Sequence, residues 1–124
     1  MGASIPALMP DHPIIEAQFH GRVTKDAADE AVHEILVMAG QLDVWNVLTD
    51  CSDLLWTPPI TNLSPLANAL NDLGVADRFR QALIKPQDVT AAVAVGFWET
   101  LGANRGLAIR VFRDRDEAIA WLTS

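Results

Sequence analysis

At 124 residues the chain has the length of one ordinary domain, and with half its residues hydrophobic and 20% charged it is built for a packed core rather than disorder. Its formal charge of −7 lies wholly in the first half, where nine acids through Asn62 meet only Arg22 and Lys25; seven acids and seven bases balance from Leu63 onward. That distribution excludes a phosphate-neutralising nucleic-acid surface, the absence of any run near ~20 apolar residues excludes a membrane-spanning helix, and a lone Cys51 excludes an intrachain disulfide.

In chain order, MGASIPALMPDHP lacks the basic start and apolar centre of a signal peptide, so a cytoplasmic location is expected. Ile5 to Met9 reads as a short first strand, with the turn signal PDHP after it. Ile15, Ala17 and Phe19 then alternate with Glu16, Gln18 and His20, the period of a strand wet on one face, completing an edge hairpin. Thr24 is placed to cap a helix whose apolar face is Ala28, Ala31, Val32, Ile35, Leu36 and Ala39, with Gly40 ending it. Val44 to Thr49 predicts a strand buried on both faces.

Beyond it, Trp56-Thr57-Pro58-Pro59 breaks any ladder, because neither proline has an N–H to donate. Ser64-Pro65 predicts an N-cap and first helical residue for a helix reaching Leu73, before Gly74. VADRFRQALI predicts a further helical turn or two, TAAVAVGF a third apolar strand, and FWETLGANRG a short, weak helix. LAIRVF predicts the last central strand. Asp114 caps a closing helix with Glu117 placed for a reciprocal box, and Ala118, Ile119, Trp121 and Leu122 turn inward. Strands alternating with helices predict a single α/β domain over residues 1–124: a mixed, mostly parallel sheet of about five strands, with an N-terminal edge hairpin and helices packed on it.

The segment NVLTDCSDLLW, residues 46–56, carries the densest chemistry. Asp50, Cys51, Ser52 and Asp53 follow one another, and strand alternation sends Asp50 and Ser52 one way and Cys51 and Asp53 the other. A nucleophilic cysteine needs a base and a cation or helix N-terminus to lower its pKa; another acid follows instead. His12, His20 and His33 show no ligand spacing, and neither a phosphate loop nor a metal motif is present. Trp56, Pro58, Pro59 and Ile60 are apolar residues beyond a central strand, where α/β sheets tend to bind ligands, and Phe97 and Trp98 are expected to end the next strand in the same way.

The tail IRVFRDRDEAIAWL, residues 109–122, resembles the C-terminal signature of bacterial SpoIIAA-like proteins: a strand ending in Val-Phe, an Asp-capped turn and a closing helix with Glu-Ala and Trp-Leu. These proteins belong to the STAS group of sulfate-transporter and anti-sigma-factor-antagonist domains, with structural kinship to Sec14-type lipid-binding domains. The resemblance implies a non-catalytic module without a cofactor that binds a protein partner or a small apolar ligand, with homodimerisation left open. In the antagonist branch a serine is phosphorylated within Asp-x-Ser-x-x-x-x-x-Asp-Ser-Ser-Gly. Here Asp50 and Ser52 match the beginning, but Pro58-Pro59-Ile60 replaces the remainder, and Ser64 comes several residues late. Ser64 is therefore expected to act as a helix cap and not as a phosphorylation switch. The expected binding residues are Asp50, Trp56, Pro58, Ser64, Phe97 and Trp98. The competing expectation is a small enzyme acting on an apolar substrate with Asp50 and Cys51, and a third is a lipid carrier.

Overall fold

The computed structural model describes residues 2–124. Two short strands, β1 (Gly2–Ala3) and β2 (Ala7–Leu8), both pair antiparallel with β3 (Ile15–Val23), β1 opposite Phe19 and His20 and β2 opposite Ile15 and Glu16. They form one edge, broken between them at Ser4-Ile5-Pro6. Pro6 has no N–H for a ladder, so the hairpin expected from Ile5 onward is interrupted there. The sheet continues in parallel through β4 (Asn46–Trp56), β5 (Arg80–Ile84) and β6 (Ala108–Phe112) in the order β3-β4-β5-β6.

With parallel strands laid in chain order, right-handed crossovers put successive helices on one face. The core follows that rule. One cluster packs helix α1 (Lys25–Leu42), helix α2 (Leu63–Asp72) and helix α3 (Val89–Asn104) against Val47, Cys51, Leu54 and Leu83; a smaller one joins Leu48, Ala82 and Ile84 to helix α4 (Arg115–Leu122) on the opposite face. On that second face Trp121 is half-buried, tilted against Phe112 with ring centres 5.6 Å apart and covered by the Arg80 guanidinium at 4.4 Å. Arg115 of α4 pairs with Glu16 of β3. The Asp114 cap is present, its Oδ1 accepting from the Asp116 N–H at 2.9 Å.

Six further local expectations need correction. Residues 80–84 form a strand and not a helix, because Gln81 and Leu83 serve one face while Ala82 and Ile84 serve the other, as a central strand requires. TAAVAVGF is no strand: it is the first half of α3, capped by Asp88, whose side chain accepts from the Ala91 N–H at 3.0 Å. The segment FWETLGANRG continues that same helix rather than starting a weak one. Its buried face is Ala91, Ala94, Val95, Trp98, Leu101 and Gly102, a helical spacing. Helix α1 runs past Gly40 to Leu42 and is closed by Asp43 at φ 54°, whose N–H reaches the Ala39 carbonyl.

The fifth correction concerns Ser64. A single 3-10 turn, Ile60–Asn62, leads directly into α2, so Asn62 holds the cap position and Ser64 lies inside the first turn. Pro65 is tolerated there because first-turn N–H groups have no intrahelical acceptor.

Strand β4 also runs seven residues further than Thr49. Pairing steps from Gln18↔Asp50 to His20↔Asp53, so β4 holds one extra residue at a bulge. The Ser52 N–H, turned from the ladder, donates to Asp50 Oδ1 at 2.9 Å. The bulge resets the alternation, and Cys51 and Leu54 both join the core on the helix side. The stretch Asp50-Cys51-Ser52-Asp53 is thus the middle of a strand and not its end.

Candidate ligand cavity

Between the sheet and α1, α2 and α3 lies a cavity of about 70 Å³. Its deep wall is Thr49 and Cys51 of β4, Gln81 of β5, and Ala94 and Trp98 of α3, all buried. Half-buried Phe19, Val32, Trp56 and Leu66 frame the side nearer solvent. No lining side chain carries a charge. A larger depression between α1 and Ile5-Pro6 lies open at the surface, with His33 and Glu34 on its rim.

The polar atoms at the back of the cavity satisfy one another. Trp98 Nε1 donates to Gln81 Oε1 at 2.8 Å, and Gln81 Nε2 donates to Thr49 Oγ1 at 3.0 Å. Thr49 and Gln81 are the two buried polar side chains of the core among the described residues. Buried polar groups are tolerated when hydrogen-bonded, and the chain Thr49–Gln81–Trp98 ties two strands to α3. Trp56 differs: its indole Nε1 is buried and has no hydrogen-bond partner, alone in this among the described side chains.

Burial, and secondarily the Asp50 charge, push the Cys51 thiol well above its ordinary pKa. A thiol so placed is an apolar wall group at neutral pH and not a nucleophile. Asp50 is on the opposite face of the sheet, toward Arg115 of α4, whose protonated form is favoured first by its hydrogen bond to Glu16 and only then by the charge of Asp50. The pair named for a small enzyme is therefore split by the sheet.

Of the six residues expected to bind, the fold brings Trp56 and Trp98 to one cavity. Pro58 and Ser64 are half-buried and outside its wall, although Leu63 and Leu66, beside Ser64, line it. Phe97 packs at the margin of the helix-side core. His12, His20 and His33 stay on separate elements, and among the described residues no group of three or more His, Cys, Asp or Glu is placed to hold a metal. Sequence reasoning missed Thr49 and Gln81. A glutamine immediately before the apolar run Ala82–Ile84 was the available signal, since a strand flanked on both sides accepts such a residue only with a partner.

A crystal structure of an uncharacterized protein of the DUF3478 family with a SpoIIAA-like fold, from Shewanella loihica PV-4, resembles this chain with a TM-score of 0.58 at 16% identity, over 98% of this chain and 94% of that one. The likeness is one of fold, and the architecture is SpoIIAA-like. No protein-family model matches the chain, nor does any curated protein. Among the described residues no helix is long and apolar enough to cross a membrane.

Proposed function

We propose that the protein is a non-catalytic, cytoplasmic binding module, a divergent relative of SpoIIAA-like and STAS domains, that holds a small apolar ligand between its sheet and its three-helix layer. The observation that carries this reading is the convergence of Trp56 and Trp98 on one uncharged cavity. Small-molecule sites are concave and mostly apolar, with few polar groups to fix orientation, and this cavity has that composition. The SpoIIAA-like fold supports a binding role over a catalytic one, and the missing Asp-Ser-Ser-Gly segment sets the chain apart from phosphorylated antagonists.

Titration with dissolved xenon, which enters small apolar cavities, followed by quenching of tryptophan fluorescence, tests the reading. Saturable binding is expected for the wild type, progressively weaker binding for Ala94→Val and Ala94→Leu, which extend methyl groups into the cavity. Equal binding by all three would place the solute elsewhere and overturn the proposal.

A further inference from the structure

We infer that the outer face of α3 is a homodimer contact, at which two copies of this chain cross antiparallel about a twofold axis at Gly96. Helix α3 has no charged outer side. Its one charged residue, Glu99, is turned to the sheet edge, where its carboxylate accepts from the Val111 N–H at 2.8 Å. Val89, Val93, Gly96, Thr100 and Ala103 follow one another at alternate spacings of four and three on the face away from Trp98 and the cavity. That is the spacing of a seam along which two helices pack. Val89, Val93, Thr100 and Ala103 are all exposed, and the one hydroxyl among them, on Thr100, bonds to the Gly96 carbonyl of its own helix at 3.2 Å. A surface helix ordinarily turns charged residues outward, as α1 does with Asp26, Glu30 and Glu34, whereas a helix that is apolar all round is one that gets covered.

Gly96 has no use within its own chain. Mid-helix glycine weakens a helix relative to alanine, its φ is not positive, and a Cβ built on it would meet nothing within 4 Å. Close approach by a second backbone from outside is what would require it. The seam is also self-complementary. The valines lie on the N-terminal side of Gly96 and the smaller Thr100 and Ala103 on the C-terminal side. Antiparallel crossing therefore seats Val93 against the partner's Thr100 and Val89 against the partner's Ala103, as a twofold contact demands. Charge favours a second copy as the occupant. The surplus of −7 lies in residues through Asn62, so a contact made by α3, in the balanced half, keeps both acidic halves out of the interface and buries no ion. Pairing of strand edges is obstructed instead, because Glu99 holds the Val111 N–H of β6 and Pro6 interrupts the edge formed by β1 and β2.

One helix pair buries less than the ~1,200 Å² at which stable interfaces begin, so the dimer is expected to be weak and concentration-dependent. Sedimentation equilibrium from about 1 μM to about 1 mM spans the affinities in question, and wild type should pass from monomer toward dimer across it. Gly96→Ala should raise the thermal midpoint of the dilute monomer, because alanine is the better helix former, yet weaken the dimer about tenfold by holding the helices apart. A glycine serving its own fold would give a lower midpoint instead. Val93→Glu, at an exposed position where the fold tolerates it, should abolish the dimer. Adding Thr100→Lys should restore it, since antiparallel crossing sets those two positions opposite each other. Wild type that stays monomeric throughout would overturn the inference. So would a dimer that survives Val93→Glu, one as strong in Gly96→Ala as in wild type, or a fallen midpoint in Gly96→Ala. Failure of Thr100→Lys to rescue would overturn the antiparallel crossing.

Discussion

Trp98→Ala is expected to cost about 3–5 kcal/mol of stability, the range for truncating a large buried aromatic, and so to consume much of the ~5–15 kcal/mol that holds a domain together. Trp98 is buried on the inner face of α3 and, among the described residues, makes the one side-chain hydrogen bond from α3 to Gln81. Truncation opens the cavity and strands the Gln81 amide oxygen. Trp98→Phe separates the two effects: it keeps most of the volume and deletes the donor, for about 1–3 kcal/mol. Gln81→Leu added to Trp98→Phe removes the stranded oxygen, but it also frees the Thr49 hydroxyl, so only partial recovery is expected. Urea denaturation followed by circular dichroism measures all three. A Trp98→Ala loss below about 0.5 kcal/mol, the usual scale of surface substitutions, would mean that α3 does not pack on the sheet through this residue.

The second large effect is alkaline. The folded-state pKa of Cys51 is raised, by burial first and by Asp50 second. Below the unfolded thiol's pKa of about 8.5 both states are protonated and stability is unaffected. Above it the unfolded chain releases its proton while the folded thiol keeps it, so the folded state binds more protons and stability falls as pH rises. The loss grows at about 1.4 kcal/mol per pH unit and amounts to about 2 kcal/mol at pH 10. The window is unusually clean, because the chain has no tyrosine. Lys25, raised by its hydrogen bond to Asp29, titrates above it. Denaturation midpoints between pH 7.5 and pH 10 should therefore drop steeply for wild type and much less for Cys51→Ala, whatever that variant's stability at neutral pH. Parallel profiles would show that Cys51 is not buried as described.

The sheet class and the elements at the two ends of the chain were legible because β3, β4 and β6 carry plain apolar patterns and Thr24 and Asp114 are unambiguous caps, whereas the elements between Val75 and Phe97 were misplaced. Helix α3 was obscured by its own composition. Val89 and Val93 are exposed, 79% and 57% respectively, so an apolar residue on the outer face mimics the continuous run of a buried strand. The Asp88 cap was the decisive local signal against that reading. Strand β5 was obscured in the opposite way, since Arg78, Arg80 and Gln81 break the apolar run. Gln81 belongs in the core only because Thr49, 32 positions earlier, and Trp98, 17 positions later, meet it there.

The site itself divides along the same line. Both tryptophans were singled out for the wrong reason: Trp56 as a loop residue beyond a strand, where it is the last residue of β4, and Trp98 as a strand end rather than the inner face of a helix. The bulge after Asp50, which turns Cys51 and Leu54 to the same side, depends on the register with β3 and has no signature in NVLTDCSDLLW alone.

The binding function proposed for this protein depends on an accessible, dry cavity between Trp56 and Trp98. Xenon is the most direct probe, since it enters apolar cavities without hydrogen bonding and is seen by its scattering. Crystals pressurised with xenon should show one strong anomalous peak flanked by Trp56, Cys51 and Trp98, and that peak should vanish in Ala94→Leu. Crystals of wild type with no peak there, or with hydrogen-bonded water filling the space, would contradict the account.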